Sequence, residues 1–445
     1  MAAQTANKIA LWMQVPLVFI SLSIAARAAS VPDKTKQENS LMGASNKHVR
    51  IELGQPVTVA MAPPEVRGWG PYQFPALLRL PDGRIQASFH VEADSATAYG
   101  LPPARAVSAD EGRTWTLLPR EDSTDGASAV WDAVVLLPGG DRLKIKSLCS
   151  RKASGLRLPE KPFAQYINYG LTNAVYRVED LPAECAAGWM FLRLPAGHTQ
   201  WQEERAIVRL PGEVRTVTEG VMWFPWLSAQ MIVAPDGALW SVNYTLSRVV
   251  GDRFQAKCPV TVLRSSDAGR SWDIRSEIPY AGDAAADPKA GKRLGFTEPY
   301  ACFMPDGSAL VLMRTTDGEG IGPLYWSRST DSGKTWSPPA VFDDLGVWPQ
   351  MLTLENGVTL AAYGRPGLYI RATTDPAGLK WEKRVTVVEP ARITGSETCS
   401  YASLLPLNGH TALVAYSDFN LRNADGKRCK GIQVREVTVT KVAGQ

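Results

Sequence analysis

Several side chains of this chain can move protons or hold anions, and they sit where strands are expected to end. Glu298 lies in Gly295-Phe296-Thr297-Glu298-Pro299-Tyr300, just ahead of an apolar run; Arg314 closes the partner run after a Pro305-Asp306-Gly307 turn. A hairpin across that turn puts Glu298 and Arg314 at one end. Arg365 follows another such hairpin in Ala362-Tyr363-Gly364-Arg365-Pro366-Gly367, with Arg371 as a competing choice. Tyr401 opens the last hairpin, and Gln73 precedes the first one in Tyr72-Gln73-Phe74-Pro75. Asp94 lies on the loop after that first hairpin, with Glu92 as its rival and His90 nearby. Carboxylates serve as general acids and bases, a deprotonated phenol as a nucleophile, and arginines as forks for a carboxylate. Taken singly, a strand-end Glu, a strand Tyr or a loop Asp is most often structural; their joint order gives them weight.

The elements that must position them are written as repeats. The octapeptide S-x-D-x-G-x-[TS]-W occurs at 108–115, 265–272 and 329–336, with a blurred copy ending at Trp381. Its Ser and Asp bond nearby backbone N–H groups, its Gly supplies positive φ, and its Trp buries a large ring under the turn. It reads as a structural staple. A second repeat, apolar run, Gly-containing turn and apolar run, occurs six times, with turns at 81–83, 138–140, 235–237, 305–307, 355–357 and 406–409. Hairpins and octapeptides together predict four-stranded antiparallel units. The expected fold is all-β, a six-bladed β-propeller of four-stranded blades. The stretch from Asp141 to Glu219 lacks the octapeptide and is expected to hold a degenerate unit plus insertions.

The octapeptide resembles the Asp-box, or BNR repeat, of the sialidase superfamily, from about Arg50 to the C-terminus. The resemblance implies a glycosidase with a Tyr nucleophile, because a charged carboxylate would be repelled by the acidic group of the sugar. On this pattern Tyr401 is the nucleophile, Glu298 its base, Asp94 the acid and base on the leaving oxygen, and Arg314 and Arg365 carboxylate-binding residues. The family's first Arg sits in a motif like Tyr-Arg-Ile-Pro, and here that position is Gln73. A neutral amide in place of a guanidinium weakens carboxylate binding by a few kcal/mol. Arg67, upstream, is a possible substitute cation. The implied activity is exo-hydrolysis of terminal sialic acid or a related acidic sugar. The alternatives are a propeller lyase acting on uronates, with His90 or a Tyr as base, and a non-catalytic glycan-binding propeller.

Composition bounds the rest. The 445 residues carry a formal charge of +4 with no basic block, which argues against a nucleic-acid partner. Lys8, an apolar run and Ala26-Arg27-Ala28 read as a secretory signal over 1–28, followed by a flexible linker at 29–47 and one domain at 48–445. The expected location is secreted or periplasmic, with no membrane association after cleavage, a glycan carrying an acidic sugar as partner, and a monomer. No Cys or His spacing indicates a metal, and no cofactor is expected. The six cysteines suggest at most one or two disulfides.

Overall fold

The computed structural model describes residues 48–94, 101–120, 134–145, 150–168, 171–185, 189–223, 230–244, 248–250, 253–255, 257–315 and 320–442. The expected signal and linker (1–47) lie outside them, as does Cys149. The described chain is all-β, with three short 3-10 turns and no α-helix. No helix among the described residues is long and apolar enough to cross a membrane.

Each of the six hairpins read from the sequence is present as an antiparallel pair. Each begins a run of strands. The first run is Gln73–Arg79, Ile85–His90, Ala104–Ser108 and Thr116–Leu117; the fourth is Phe296–Phe303, Ala309–Thr315, Leu324–Ser329 and Ala340–Asp343; the fifth is Val347–Thr353, Thr359–Gly364, Leu368–Thr373 and Val385–Val388. The third, Met231–Val233, Leu239–Tyr244, Val260–Ser265 and Ser271–Ile278, meets the second edge to edge, where Gln202–Arg209 runs parallel to Ser271–Ile278. The last run is Ala402–Asn408, Thr411–Arg422 and Arg428–Lys441, completed by Val49–Leu53 from the other end of the domain. Backbone hydrogen bonds between the two ends of the described chain therefore close this sheet.

The stretch 141–219 resolves into two parts. Arg142–Ile145, Trp189–Leu194 and Gln202–Arg209 join Val134–Leu136 in the second run. The intervening Ser150–Lys152, Ala164–Asn168 and Leu171–Arg177, with Val214–Thr218 and Val221–Trp223, pair among themselves as a separate five-stranded sheet.

In the fourth and fifth runs the second strand is buried on both faces. Every residue of Ala309–Thr315 and Thr359–Gly364 is buried, so these strands read as unbroken apolar runs rather than as alternations. The six first strands bring 74–78, 134–135, 230–232, 298–300, 348–350 and 401–404 to the wall of one cavity of about 190 Å³.

The octapeptides sit between third and fourth strands. In the first copy Gly112 N–H donates to Ser108 Oγ (2.8 Å), Thr114 N–H to Asp110 Oδ1 (2.8 Å) and Trp115 Nε1 to the Gly112 carbonyl (3.0 Å). The copies at Asp267 and Asp331 repeat the Ser and Asp bonds, and Asp375 holds the N–H groups of Leu379 and Lys380 in the blurred copy. Each turn also leans on a neighbouring sheet. At Gly333 (φ +74°) a Cβ would lie 2.3 Å from the Trp240 ring, so the glycine is required both for its conformation and for the approach. Registers such as Phe303↔Ala309↔Ser329 and Thr297↔Arg314↔Leu324 put the octapeptides at one end of the sheets and Glu298 and Arg314 at the other.

The five described cysteines are free thiols. Cys302 is half-buried in Phe296–Phe303 with its Sγ 3.4 Å from Thr353 Oγ1.

The hydrogen bonds from Thr114 hold the Asp110 carboxyl at about 2, against an ordinary 3.8. A lowered carboxylate value favours the folded form above the unfolded value, and that stabilisation is lost as pH falls through the folded one. Stability should therefore decline between about pH 4 and pH 2, and Asp110→Asn should flatten part of that decline, as read from unfolding midpoints across the range.

Candidate active site

The site is built by a local device repeated in three sheets. Phe74-Pro75, Glu298-Pro299 and Trp348-Pro349 each interrupt the pairing of a first strand with its partner as a bulge. Each proline stands eight residues ahead of its turn glycine, Gly83, Gly307 or Gly357. The residue before it has positive φ, +55° at Phe74, +45° at Glu298 and +46° at Trp348. Proline fits because a bulge leaves an N–H without a ladder partner. Tyr401 takes the proline's place in the last sheet, eight residues ahead of Gly409, and Ser400 before it has φ +64°. Such conformations cost about 1–3 kcal/mol each for residues other than Gly and persist where the surroundings impose them.

These bulges converge on Tyr401, which is 2% exposed. Its hydroxyl donates a hydrogen bond to Glu298 Oε1. Arg314 Nη1 donates to the same carboxylate oxygen at 2.5 Å and to the Tyr401 oxygen at 3.3 Å. Trp348 N–H donates to the other carboxylate oxygen at 3.0 Å. The Trp348 ring stacks on the Tyr401 ring (4.7 Å between centroids, 4° between planes), and Phe74 meets it edge-on at 5.0 Å. Burial, then the negative charge of Glu298, push the Tyr401 phenol well above its ordinary 10. The phenol is thus protonated, and the carboxylate that accepts its hydrogen bond is placed to take that proton.

Arg365 belongs to the same group. Its guanidinium lies 5.7 Å from the Tyr401 ring centroid and 5.3 Å from that of Trp69, and its Nη2 donates to the Cys399 carbonyl at 2.8 Å. Glu397, buried, accepts from Gly367 N–H at 2.7 Å and so ties down the loop that carries Arg365. Arg371 is spent elsewhere, on the carbonyls of Glu382, Phe342 and Trp381.

Asp94 is 8% exposed and accepts from Trp69 Nε1 at 3.1 Å, while its own N–H donates to the Trp69 carbonyl. Gly70 (φ +109°) allows this approach, since a Cβ there would lie 2.2 Å from Asp94 N. Trp69 thereby joins Asp94 to Arg365. Glu92 instead pairs with Arg120 at the surface. Gln73 is fully buried and pairs through its backbone with His90. His90 is buried as well, its ring 6.0 Å from Phe74. Arg67 is exposed, and the cation that reaches Gln73 is Lys430, through the amide oxygen (2.9 Å).

The structure brings together Tyr401, Glu298, Arg314 and Arg365, and links Asp94 to Arg365 through one indole. Sequence reading missed Trp348, Trp69, Glu397 and Lys430. Trp348 carried a signal, the same x-Pro spacing as Phe74 and Glu298; the other three carried none. Among the described residues no cluster of three or more His, Cys, Asp or Glu is placed to hold a metal ion.

Glu298 and Arg314 form a buried pair, and deleting one partner strands the other. Glu298→Ala should cost about 3 kcal/mol of unfolding free energy in denaturant titrations, more than the loss of a single neutral hydrogen bond.

No protein-family model matches the sequence and no curated protein is similar to it. Among solved structures, a protein of unknown function from Dyadobacter fermentans aligns with a TM-score of 0.58 at 18% identity, over 88% of this chain and 99% of that one. An alpha-L-arabinanase of Penicillium chrysogenum, complexed with arabinobiose, aligns at TM-score 0.49 and 14% identity, over 88% of this chain and 98% of that one. A variant of the NanB sialidase of Streptococcus pneumoniae aligns at TM-score 0.47 and 14% identity, over 90% of this chain and 72% of that one. The first of these likenesses establishes a shared fold, and any functional reading has to come from the site residues.

Proposed function

We propose that this chain is an exported glycoside hydrolase of the sialidase type, built on a six-bladed β-propeller and exo-acting on terminal sialic acid or a related acidic sugar. The observation that carries this reading is the hydrogen bond from the Tyr401 hydroxyl to Glu298, with Arg314 bonded to both groups.

Tyr401 Oη attacks the anomeric carbon while its proton passes to Glu298. The raised phenol value means that no free phenolate waits in the site; proton loss and attack are coupled. A neutral nucleophile approaches a carbon bearing a carboxylate without the repulsion a second carboxylate would meet. The bond to the leaving oxygen breaks as Asp94 protonates that oxygen. Asp94 then takes a proton from the water that displaces Tyr401, and Glu298 returns its proton to the phenol. Arg314 and Arg365 hold the acidic group, and Gln73 assists. Export would proceed through the leader at 1–28.

Tyr401→Phe removes the nucleophile and little else. Turnover of an aryl sialoside or uronide should fall by about 10³-fold, and undiminished activity in this variant would sink the assignment. Asp94→Asn should cost about 100-fold on an alkyl glycoside but under about 10-fold on a p-nitrophenyl glycoside, whose leaving group departs without a proton. Equal losses on both substrates would remove Asp94 from the acid role.

A further inference from the structure

Lys430 lies in the strand Arg428–Lys441, away from the cavity-lining first strand of its sheet, yet it is only 5% exposed. Its Nζ donates to the Gly68 carbonyl at 2.7 Å; with the Gln73 amide assigned so that its oxygen faces the surrounding donors, that oxygen accepts from Lys430 Nζ at 2.9 Å and from Gly70 N–H at 3.2 Å. The two donors set the orientation of the Gln73 amide, oxygen toward Lys430 and NH2 the other way. The ammonium also sits 4.4 Å from the Phe419 ring centroid. Phe419 packs edge-on against Trp69 at 6.2 Å, and Trp69 carries Asp94 and faces Arg365.

The oxygens bonded to this cation belong to neutral amides. Among the described residues Lys430 forms no ion pair with a carboxylate, and a buried charge without a counter-ion is costly. Burial lowers its ionisation to about 8, so it remains mostly protonated at neutral pH. A retained, unneutralised ammonium behind a Gln that replaces an Arg makes sense if an anion completes the site.

We propose that Lys430 is a specificity-determining and positioning residue: it fixes the Gln73 side chain and supplies the third positive charge for the sugar's carboxylate. The inference rests on the glycosidase reading above and deepens it, since it ties the substrate to a carboxylate sugar despite Gln73.

The test compares N-acetylneuraminate and D-glucuronate, each with its neutral methyl ester, by calorimetry on the intact protein. Wild type should bind one acid in preference to its ester. Lys430→Met should weaken the acid by about 10-fold and leave the ester nearly unchanged, as expected for loss of a charge contact. Lys430→Arg should keep most of the preference, and the double variant Q73R/K430M should recover it. In turnover, Lys430→Met should raise KM with little change in kcat. A folded Lys430→Met that binds the acid as wild type does, or that loses acid and ester equally, overturns the proposal. If Lys430→Met does not fold, Gln73→Ala cuts the same link: reduced discrimination supports the proposal and unchanged discrimination overturns it. A wild type that neither binds these acids nor hydrolyses their glycosides sinks the glycosidase reading and this inference together, whereas an active wild type matched by Lys430→Met sinks only the inference.

Discussion

A carboxylate can be buried beside a phenol only if a counter-ion and hydrogen bonds offset the cost of desolvating it. Arg314 meets that need for Glu298, with Trp348 N–H on the second oxygen. Ion, counter-ion and phenol form one hydrogen-bonded unit with almost no solvent contact. Desolvating the two charges is expensive, and the added hydrogen bonds offset that cost. Remove either charge and the other loses its buried counter-ion.

That unit depends on backbone conformations that the sheets impose. Phe74, Glu298 and Trp348 are each turned inward by a bulge and a positive φ, and Ser400 turns Tyr401 in the same way. The residual strain is small beside the packing that enforces it, because the second strands behind the Glu298 and Trp348 bulges are buried along their whole length. The octapeptides serve the same end from a distance. They close turns at the opposite end of the sheets and press their glycines against a neighbouring sheet. A rigid frame lets a site drawn from separate strands keep hydrogen-bond geometry.

Gln73 brings a dipole to the site, and the amide orientation that satisfies its donors places its oxygen toward Lys430. An ammonium from the strand beyond thus acts through an amide. Its neighbours Phe419 and Trp69 lie between it and the Asp94 and Arg365 side.

Much of this was legible locally. The hairpins were readable because a turn glycine between apolar runs is a short-range signal, and all six are paired as expected. The octapeptide declared its hydrogen bonds because its Asp reaches only four residues along the chain. Glu298 and Arg314 could be placed together because one hairpin joins them. The five-stranded sheet was not read from the sequence: Glu219-Gly220 closes one of its hairpins, but Leu171–Arg177 pairs with Val214–Thr218 and Ser150–Lys152 with Val221–Trp223 across long gaps that carry no local signal. Trp69, Glu397 and Lys430 were invisible for a related reason. Sequence by itself determined the elements and the order of the reactive side chains, because turns, alternation and capping act over a few residues. Only tertiary structure decided that Lys430, 357 positions after Gln73, touches it, because burial and partner choice depend on which sheets stand side by side.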